Sequence, residues 1–300
     1  MLSPDFFTRF LVLKDRTSWG FEFDQPLPRW QAEFIRILGL SGSADKITNE
    51  ISFAESALPA SSYVSARLVQ QNNAFRWSID DPRSSLIWLQ DVPPPVHCIA
   101  AKSDGSDLYQ MLSIVLLPVL QTAVAKGGMV FHSAVSERAQ KAVLFAGYGG
   151  AGKSTTASRL PKEWRALCDD EALAVKIGEH EWAMHPLPTW SDFTVRRLYD
   201  RKWNVAESFP LHAVFFIEQR EADSVHRLAP AEAARLFFRS SLDVYARFMR
   251  FMEINEIRRI KIALADNAIA MARFIPCYKL QISLAGEFWR LVEDVLANDL

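Results

Sequence analysis

The sequence is poor in cysteine and has no excess of either charge. Its three cysteines, Cys98, Cys168 and Cys277, lie far apart and lack the close pairing of a zinc site. Such a sparse, odd-numbered set is typical of proteins from a reducing compartment. The 34 Lys and Arg residues nearly balance the 35 Asp and Glu residues, so the net charge is −1. We therefore expect a cytoplasmic protein with no nucleic-acid partner and no attraction to anionic membranes.

The sequence also lacks an apolar run long enough to cross a bilayer. The longest candidate, MLSIVLLPVLQTAVA at 111–125, is shorter than the roughly 20 residues required, and Pro118 and Gln121 interrupt it. This segment is therefore predicted to form a buried helix. The first residues, MLSPDFFTRF, lack the basic and then apolar pattern of a secretory signal. We expect no membrane partner.

Two regions of different composition divide the 300 residues. Residues 1–108 contain short, aromatic-rich runs and one helical pattern, RWQAEFIRILGL, which predict a smaller N-terminal α+β domain. We take this domain as a candidate substrate handle. Residues 109–300 contain longer apolar strand patterns, a long helical region up to about 273, a late strand and a final amphipathic helix. The second region is therefore predicted to be an α/β domain that carries the chemistry.

A glycine-rich segment in the second region matches the pattern of a phosphate-binding loop. The stretch AGYGGAGKSTTASRL at 146–160 contains G-x-x-x-x-G-K-[ST], with the apolar run KAVLFA before it and a helical pattern after it. In this strand–loop–helix context, backbone N–H groups surround phosphates, the lysine contacts the β- and γ-phosphates and the serine hydroxyl binds Mg²⁺. The predicted nucleotide-binding residues are Gly147, Gly149, Gly150, Ala151, Gly152, Lys153, Ser154 and Thr155. The alternative is an ordinary glycine loop.

An acidic pair follows the loop in the sequence. Asp169 and Asp170 end the strand-like stretch RALCDD. Because adjacent strand residues point to opposite faces, one carboxylate can hold Mg²⁺ while the other accepts a proton from an attacking hydroxyl. The alternative is a polar turn between two strands. We assign Asp169 as the base and Asp170, with Ser154, to the metal, although the reverse order of the two aspartates stays open.

Residues 129–177 resemble the catalytic domain of the HPr kinase/phosphorylase family, bacterial enzymes that phosphorylate a protein serine. That family has a histidine on the strand before its glycine-rich loop and an acidic pair after it. Here His132 precedes Gly147 by 15 residues, which is the family spacing, and RALCDD occupies the position of the acidic stretch. The resemblance implies a catalytic role for His132, whereas a lone histidine is otherwise more often structural.

The sequence departs from that family at two places. Thr155 stands where the family usually has a glutamate, and MHPLPTWSDF at 184–193 replaces its second glycine-rich signature. These departures argue against phosphorolysis and against HPr as the substrate. The pattern is more similar to a divergent branch of these kinases that is associated with ribosomally made peptides, including lasso-peptide tailoring kinases. Trp190, Ser191, Arg196 and Arg197 are further candidates for substrate or phosphate contacts, with packing or surface roles as the alternatives.

The resemblance implies a P-loop kinase core of the HPr kinase type. The expected activity is ATP- and Mg²⁺-dependent phosphorylation of a serine on a peptide or protein, with Asp169, Asp170, His132 and Lys153 as the catalytic residues. Two alternatives stay open at this point. One is an ATP-binding regulatory or interaction module without phosphoryl transfer, and the other is a phosphotransferase for a small metabolite. The sequence is compatible with either a peptide or a protein as the substrate and with an oligomer.

Overall fold

The structure is a computed structural model in which the chain divides into two compact units. Unit 1 comprises Met1–Gln121, Asp200–Ala206 and Arg247–Arg259, and unit 2 comprises Thr122–Tyr199, Glu207–Ala246 and Ile260–Leu300. The structure describes residues 6–24, 27, 29–43, 49–53, 69–71, 74–81, 84–90, 96–100, 112, 115–188, 204–249, 252 and 254–298. The predicted division at residue 108 stays a prediction.

Unit 1 contains a mixed sheet and a helix. The strands are β1 (Phe6–Val12), β2 (Ser18–Asp24), β3 (Asn49–Phe53), β4 (Val69–Gln71), β5 (Ala74–Asp81), β6 (Ser84–Gln90) and β7 (Val96–Ala100). Their order in the sheet is β1-β2-β3-β7-β6-β5-β4, and α1 (Arg29–Leu38) follows the first hairpin. The core is formed by buried aromatic side chains, Trp19, Phe21 and Phe23 from β2 and Phe34 from α1.

The sheet of unit 2 contains a closed circuit of strand pairs. β8 (Met129–Arg138) pairs through its first half with β11 (Glu171–Lys176) and through its second half with β9 (Lys141–Ala146) and β10 (Arg165–Cys168). β13 (Phe209–Gln219) pairs with β12 (Trp182–Pro186) at its start and with β9 further on. Because β11 also pairs with β12, the circuit β8-β9-β13-β12-β11 returns to β8.

Two further strands extend unit 2 beyond the circuit. β15 (Cys277–Ile282) lies parallel to β13, and β14 (Ser224–Arg227) lies antiparallel to β15. The parallel strands β9 and β13 are buried along most of their length, as expected when both faces of a sheet are covered. Aromatic rings of neighbouring strands stack in this core, with centroid distances of 5.8 Å for Phe145–Phe215 and 5.1 Å for Phe215–Tyr278.

Helices complete the mixed α/β architecture. The predicted buried helix within 111–125 is confirmed as α2 (Leu117–Ala125), and α3 (Lys153–Arg159) follows the glycine loop. The predicted helical region up to about 273 is two helices, α4 (Pro230–Met249) and α5 (Ile254–Ala272), and α6 (Phe288–Asn298) ends the described chain. Within the described ranges, no helix combines the length and the apolarity needed to cross a bilayer.

Candidate functional site

The glycine loop connects the buried end of β9 to α3, as the motif predicts. Gly150 and Gly152 have φ angles of 80° and 97°, a region that side chains with a Cβ avoid. The Gln219 side chain at the end of β13 donates a hydrogen bond of 3.0 Å to the Gly150 carbonyl. The loop is therefore fixed by its own backbone conformation and by the neighbouring parallel strand, and sequence analysis missed the contribution of Gln219.

The Lys153 side chain turns back under this loop. Its ammonium group donates hydrogen bonds to the carbonyls of Gly147, at 3.1 Å, and Tyr148, at 3.3 Å, and the residue is only 7% exposed. Burial lowers the pKa of Lys153, while the nearby carboxylates of Asp170, Asp243 and Asp169 oppose that shift. The loop thus holds a cation that is largely removed from water and surrounded by acidic groups.

The acidic pair lies in the turn between β10 and β11. Asp169 is buried and Asp170 is half-buried. The Asp170 carbonyl accepts a hydrogen bond of 2.7 Å from the Ser133 N–H, which fixes the turn against β8. Because both carboxylates act electrostatically on Lys153, the fold brings the predicted acidic pair to the glycine loop. An ordinary polar turn would not require that proximity.

His132 lies next to the acidic pair. Its Nε2 atom is 3.2 Å from the Asp170 carboxylate, and its backbone N–H donates to the Ser240 hydroxyl of α4 at 3.0 Å. The neighbouring Ser241 hydroxyl donates to the Val130 carbonyl of the same strand. Two consecutive serines of α4 therefore hold the segment of β8 that presents the histidine. His132 occupies the point at which β8 changes its partner from β11 to β9.

Asp243 of α4 is a site residue that sequence analysis missed. It is exposed, and its carboxylate acts electrostatically on Lys153 although the two residues lie far apart in the sequence. No local motif marks it, because α4 carries polar and apolar residues at ordinary helical spacing. The remaining candidates Trp190, Ser191, Arg196 and Arg197 lie outside the described residues.

Comparison with known protein families gives a match for the part of the chain that contains this site. The protein-family model described as SynChlorMet cassette protein ScmC matches residues 96–297, which is more than half of the chain. The chain belongs to the ScmC family. The matched span includes the glycine loop, the acidic pair, His132 and α4. A search of curated proteins gave no match. The family description names no activity, so the function of this ScmC-family chain has to be argued from the site.

Two cavities flank the glycine loop of the ScmC-family chain. The first, of about 270 Å³, lies on the Gly147–Tyr148 side and reaches Asp243 of α4. The second, of about 640 Å³, lies on the Gly152–Thr155 side and is bounded by the ends of β13 and β15. The second volume is within the range of small-molecule sites. The first cavity adjoins the charged cluster through Asp243 and through Gly147 and Tyr148, whose carbonyls accept from Lys153, and none of these three residues lines the second cavity.

The predicted residues supply only part of the coordination shell of a metal ion, and a bound nucleotide would supply the rest. Among the described residues, no group of three or more His, Cys, Asp or Glu side chains is arranged to hold a metal ion. The predicted ligands are one hydroxyl, Ser154, and one carboxylate, Asp170. Mg²⁺ commonly takes one or two carboxylates together with waters and substrate phosphates. This donor set therefore fits a Mg²⁺ ion that arrives with a triphosphate and does not form a separate metal cage.

Proposed function

We propose that this protein is an ATP-dependent kinase that transfers the γ-phosphoryl group to a serine hydroxyl of a peptide or protein. The observation that carries the proposal is the clustering of Lys153, the acidic pair and His132 at one end of the glycine loop. A loop that only binds a nucleotide needs the lysine and the backbone amides. A kinase needs in addition a carboxylate near the γ-phosphate that receives the proton of the acceptor hydroxyl.

The two cavities suggest how the reactants are arranged. The charged cluster adjoins the smaller cavity, so we assign the γ-phosphate to that end of the loop. The triphosphate then extends along the loop, and the nucleoside occupies the larger cavity beside Thr155. In this arrangement the acceptor serine enters through the smaller cavity, beside Asp243 and the Gly147–Tyr148 end of the loop.

Each residue of the cluster has a specific role in the proposal. Bound Mg²⁺-ATP supplies the phosphoryl group and a divalent charge. Lys153 would neutralise charge on the β- and γ-phosphates in place of its contacts with the loop carbonyls, and Ser154 and Asp170 would hold the metal. Asp169, next to Asp170 and buried, would accept the hydroxyl proton as the serine oxygen bonds to the γ-phosphorus and ADP leaves. His132 orients Asp170 through their 3.2 Å contact. Phosphoryl transfer depends mainly on positioning and charge stabilisation, which this set of residues can provide.

The test compares three variants with the wild type in single-turnover transfer and in nucleotide binding. Lys153→Ala should abolish most γ-phosphate affinity and nearly all transfer. Asp169→Asn should retain Mg²⁺-ATP binding but reduce transfer by on the order of 10²–10⁴, the usual contribution of a positioned base. Asp170→Asn should raise the Mg²⁺ concentration needed for half-maximal rate.

The outcome of this comparison separates the proposal from its alternatives. Wild-type rates in both aspartate variants would show that the acidic pair is a structural turn. Nucleotide binding without transfer to any hydroxyl, together with an ATP-dependent change in affinity for a partner, would identify a regulatory module. Exposed Arg290 of α6, which pairs with Glu287, provides a control through Arg290→Gln, because that pair lies outside both cavities.

A further inference from the structure

The smaller cavity has walls of different character. One wall is the start of the glycine loop, where the exposed Tyr148 ring lies. The opposite wall is the face of α4 that carries Arg235, Arg239 and Asp243. Phe216 from β13 contributes an apolar floor. We call this cavity the α4 cleft. It has charged side chains at its opening and an apolar base, and it lies beside the proposed site of phosphoryl transfer.

The Arg239 guanidinium links the two walls. It lies 4.4 Å from the centroid of the Tyr148 ring, within the range of a cation–π contact. Such stacking holds the flat guanidinium in place while its N–H donors stay available for a planar acceptor. A carboxylate accepts two parallel hydrogen bonds from such a group. The stacked arginine is thus preorganised for an acidic ligand, since little side-chain freedom is lost on binding.

The α4 cleft is lined by three cations and three carboxylates, and the described residues show no ion pair between a cation and a carboxylate of this lining. The cations are Arg235, Arg239 and Lys279, and the described residues give Arg235 and Lys279 no ion-pair partner. Of the acidic residues in the lining, Glu218 pairs with Arg220 and also accepts a hydrogen bond from Gln281.

Two acidic residues of the lining are left after Glu218. Asp243 interacts with Lys153, which places it at the loop end of the α4 cleft. Glu232 precedes Arg235 by three residues on the same helix. A ligand carrying one or two carboxylates would give Arg235 and Lys279 the ion-pair partners that the described residues do not provide. A nucleic acid, with a phosphate at every residue, would also meet the carboxylates of Glu232 and Asp243.

The positions of the charged residues along α4 determine the distances between them. Arg239 and Arg235 precede Asp243 by four and eight residues, which corresponds to about 6 and 12 Å along a helix that rises 1.5 Å per residue. An extended peptide advances about 3.3 Å per residue. If the acceptor serine lies at the Asp243 end, the two arginines therefore lie beside positions about two to four residues away from it.

We propose that the α4 cleft binds the acceptor peptide and selects one with an Asp or Glu two to four residues from the phosphorylated serine. Arg239, stacked on Tyr148, contacts the nearer position and Arg235 the farther one. The inference rests on the proposed kinase function, and it adds the chemical class of the substrate. Both arginines are specificity residues in this scheme and take no part in proton transfer.

The experiment uses the full chain with Mg²⁺-ATP and synthetic peptides that contain one serine in an Ala/Gly background. Glu is placed at each position from four before to four after the serine, and matched peptides carry Gln or Lys instead. We expect a KM about five- to tenfold lower for Glu than for Gln at two to four residues on one side, as for a charge-assisted contact. Lys should raise KM, and added salt should reduce the preference.

Charge reversal gives the sharper readout. Arg235→Glu should abolish the preference for Glu at the farther position and make Lys the favoured residue there, whereas Arg290→Gln should keep the wild-type preference. A structural role of Arg235 would lower activity on all peptides equally and would not exchange the preference. An unchanged Glu preference in both Arg235→Glu and Arg239→Gln would overturn the inference.

The failure of this inference and the failure of the kinase proposal are distinguishable. Transfer to all peptides without a charge preference would refute acidic recognition and leave the kinase intact. If no peptide is phosphorylated, fluorescence anisotropy with labelled Glu, Gln and Lys peptides and a non-hydrolysable ATP analogue still decides the point. Tighter binding of Glu peptides that depends on Arg235 would support the α4 cleft as an acidic-peptide site, and equal binding would refute it.

Discussion

Alanine substitutions at neighbouring glycines of the loop are expected to have different effects on the free energy of unfolding. Gly150 and Gly152 have φ angles of 80° and 97°, and an alanine held in such a conformation costs about 1–3 kcal/mol. At Gly150 a Cβ atom would have no neighbour within 4 Å, so Gly150→Ala measures the backbone strain alone. At Gly152 the Cβ would lie 3.3 Å from the Gln219 amide nitrogen, which adds a tight contact.

Gly149 is the matched control in the same loop. Its φ is not in the positive region, and a Cβ would again have no neighbour within 4 Å. Gly149→Ala should therefore leave stability unchanged or raise it by up to about 1 kcal/mol, because alanine restricts the unfolded chain. The expected order of destabilisation is Gly152→Ala at least equal to Gly150→Ala, with Gly149→Ala clearly smaller.

Urea unfolding followed by tryptophan fluorescence gives the three free energies of unfolding, and titration with Mg²⁺-ATP gives the nucleotide affinities. A loop that relieves strain by changing its φ angles misaligns the N–H groups that would surround the phosphates. We therefore expect weaker nucleotide binding at 150 and 152, with little change at 149. Equal destabilisation by all three substitutions would refute the conformational argument.

Two further predictions concern the residues around the loop. Burial lowers the pKa of Lys153, so the unfolded state binds more protons than the folded state between the folded-state pKa and the ordinary value near 10.5. The free energy of unfolding of the wild type, relative to that of Lys153→Met, should therefore rise with pH across this window and be constant at its lower value below it. Urea titrations at several pH values would measure this difference. Ser240→Ala should lower the free energy of unfolding by about 1–3 kcal/mol because the His132 N–H loses its acceptor. Ser240→Thr should recover much of this loss in the same unfolding assay. Ser158→Ala, at an exposed helical position, should have little effect and serves as the control.

The parts of the fold that sequence analysis predicted are those with strong local signals. KAVLFA and HAVFFIEQ are continuous apolar runs because β9 and β13 are buried on both faces, and the glycine loop is one contiguous motif. The polar segment SVHR of β14 gives no such signal, since this strand lies at the sheet edge with much of its surface in water. β7 begins directly after three prolines, which indicate a turn or an extended connector more strongly than a strand.

The candidate site divides in the same way. Lys153, Asp169 and Asp170 were predictable because motif and strand pattern lie close together in the sequence. Gln219, Ser240 and Asp243 were not, because their relation to the loop arises only when β13 and α4 pack beside it. The proposed specificity residues on α4 have the same sequence spacing as ordinary solvent-exposed helical residues. Only the cavity beside them distinguishes them from such residues.

The closed strand circuit has a consequence for how the chain folds. The parallel partners β9 and β13 are separated by about 60 residues of intervening chain, and the parallel partners β13 and β15 by about 60 more. Pairings of such high sequence separation form slowly, because the loop-closure entropy is lost before the contacts form. Gln219 can restrain the glycine loop only once the β9–β13 pair exists. Recovery of the proposed nucleotide binding during refolding should therefore coincide with the slowest folding phase, so that a bound nucleotide would report that the strand pairing is complete.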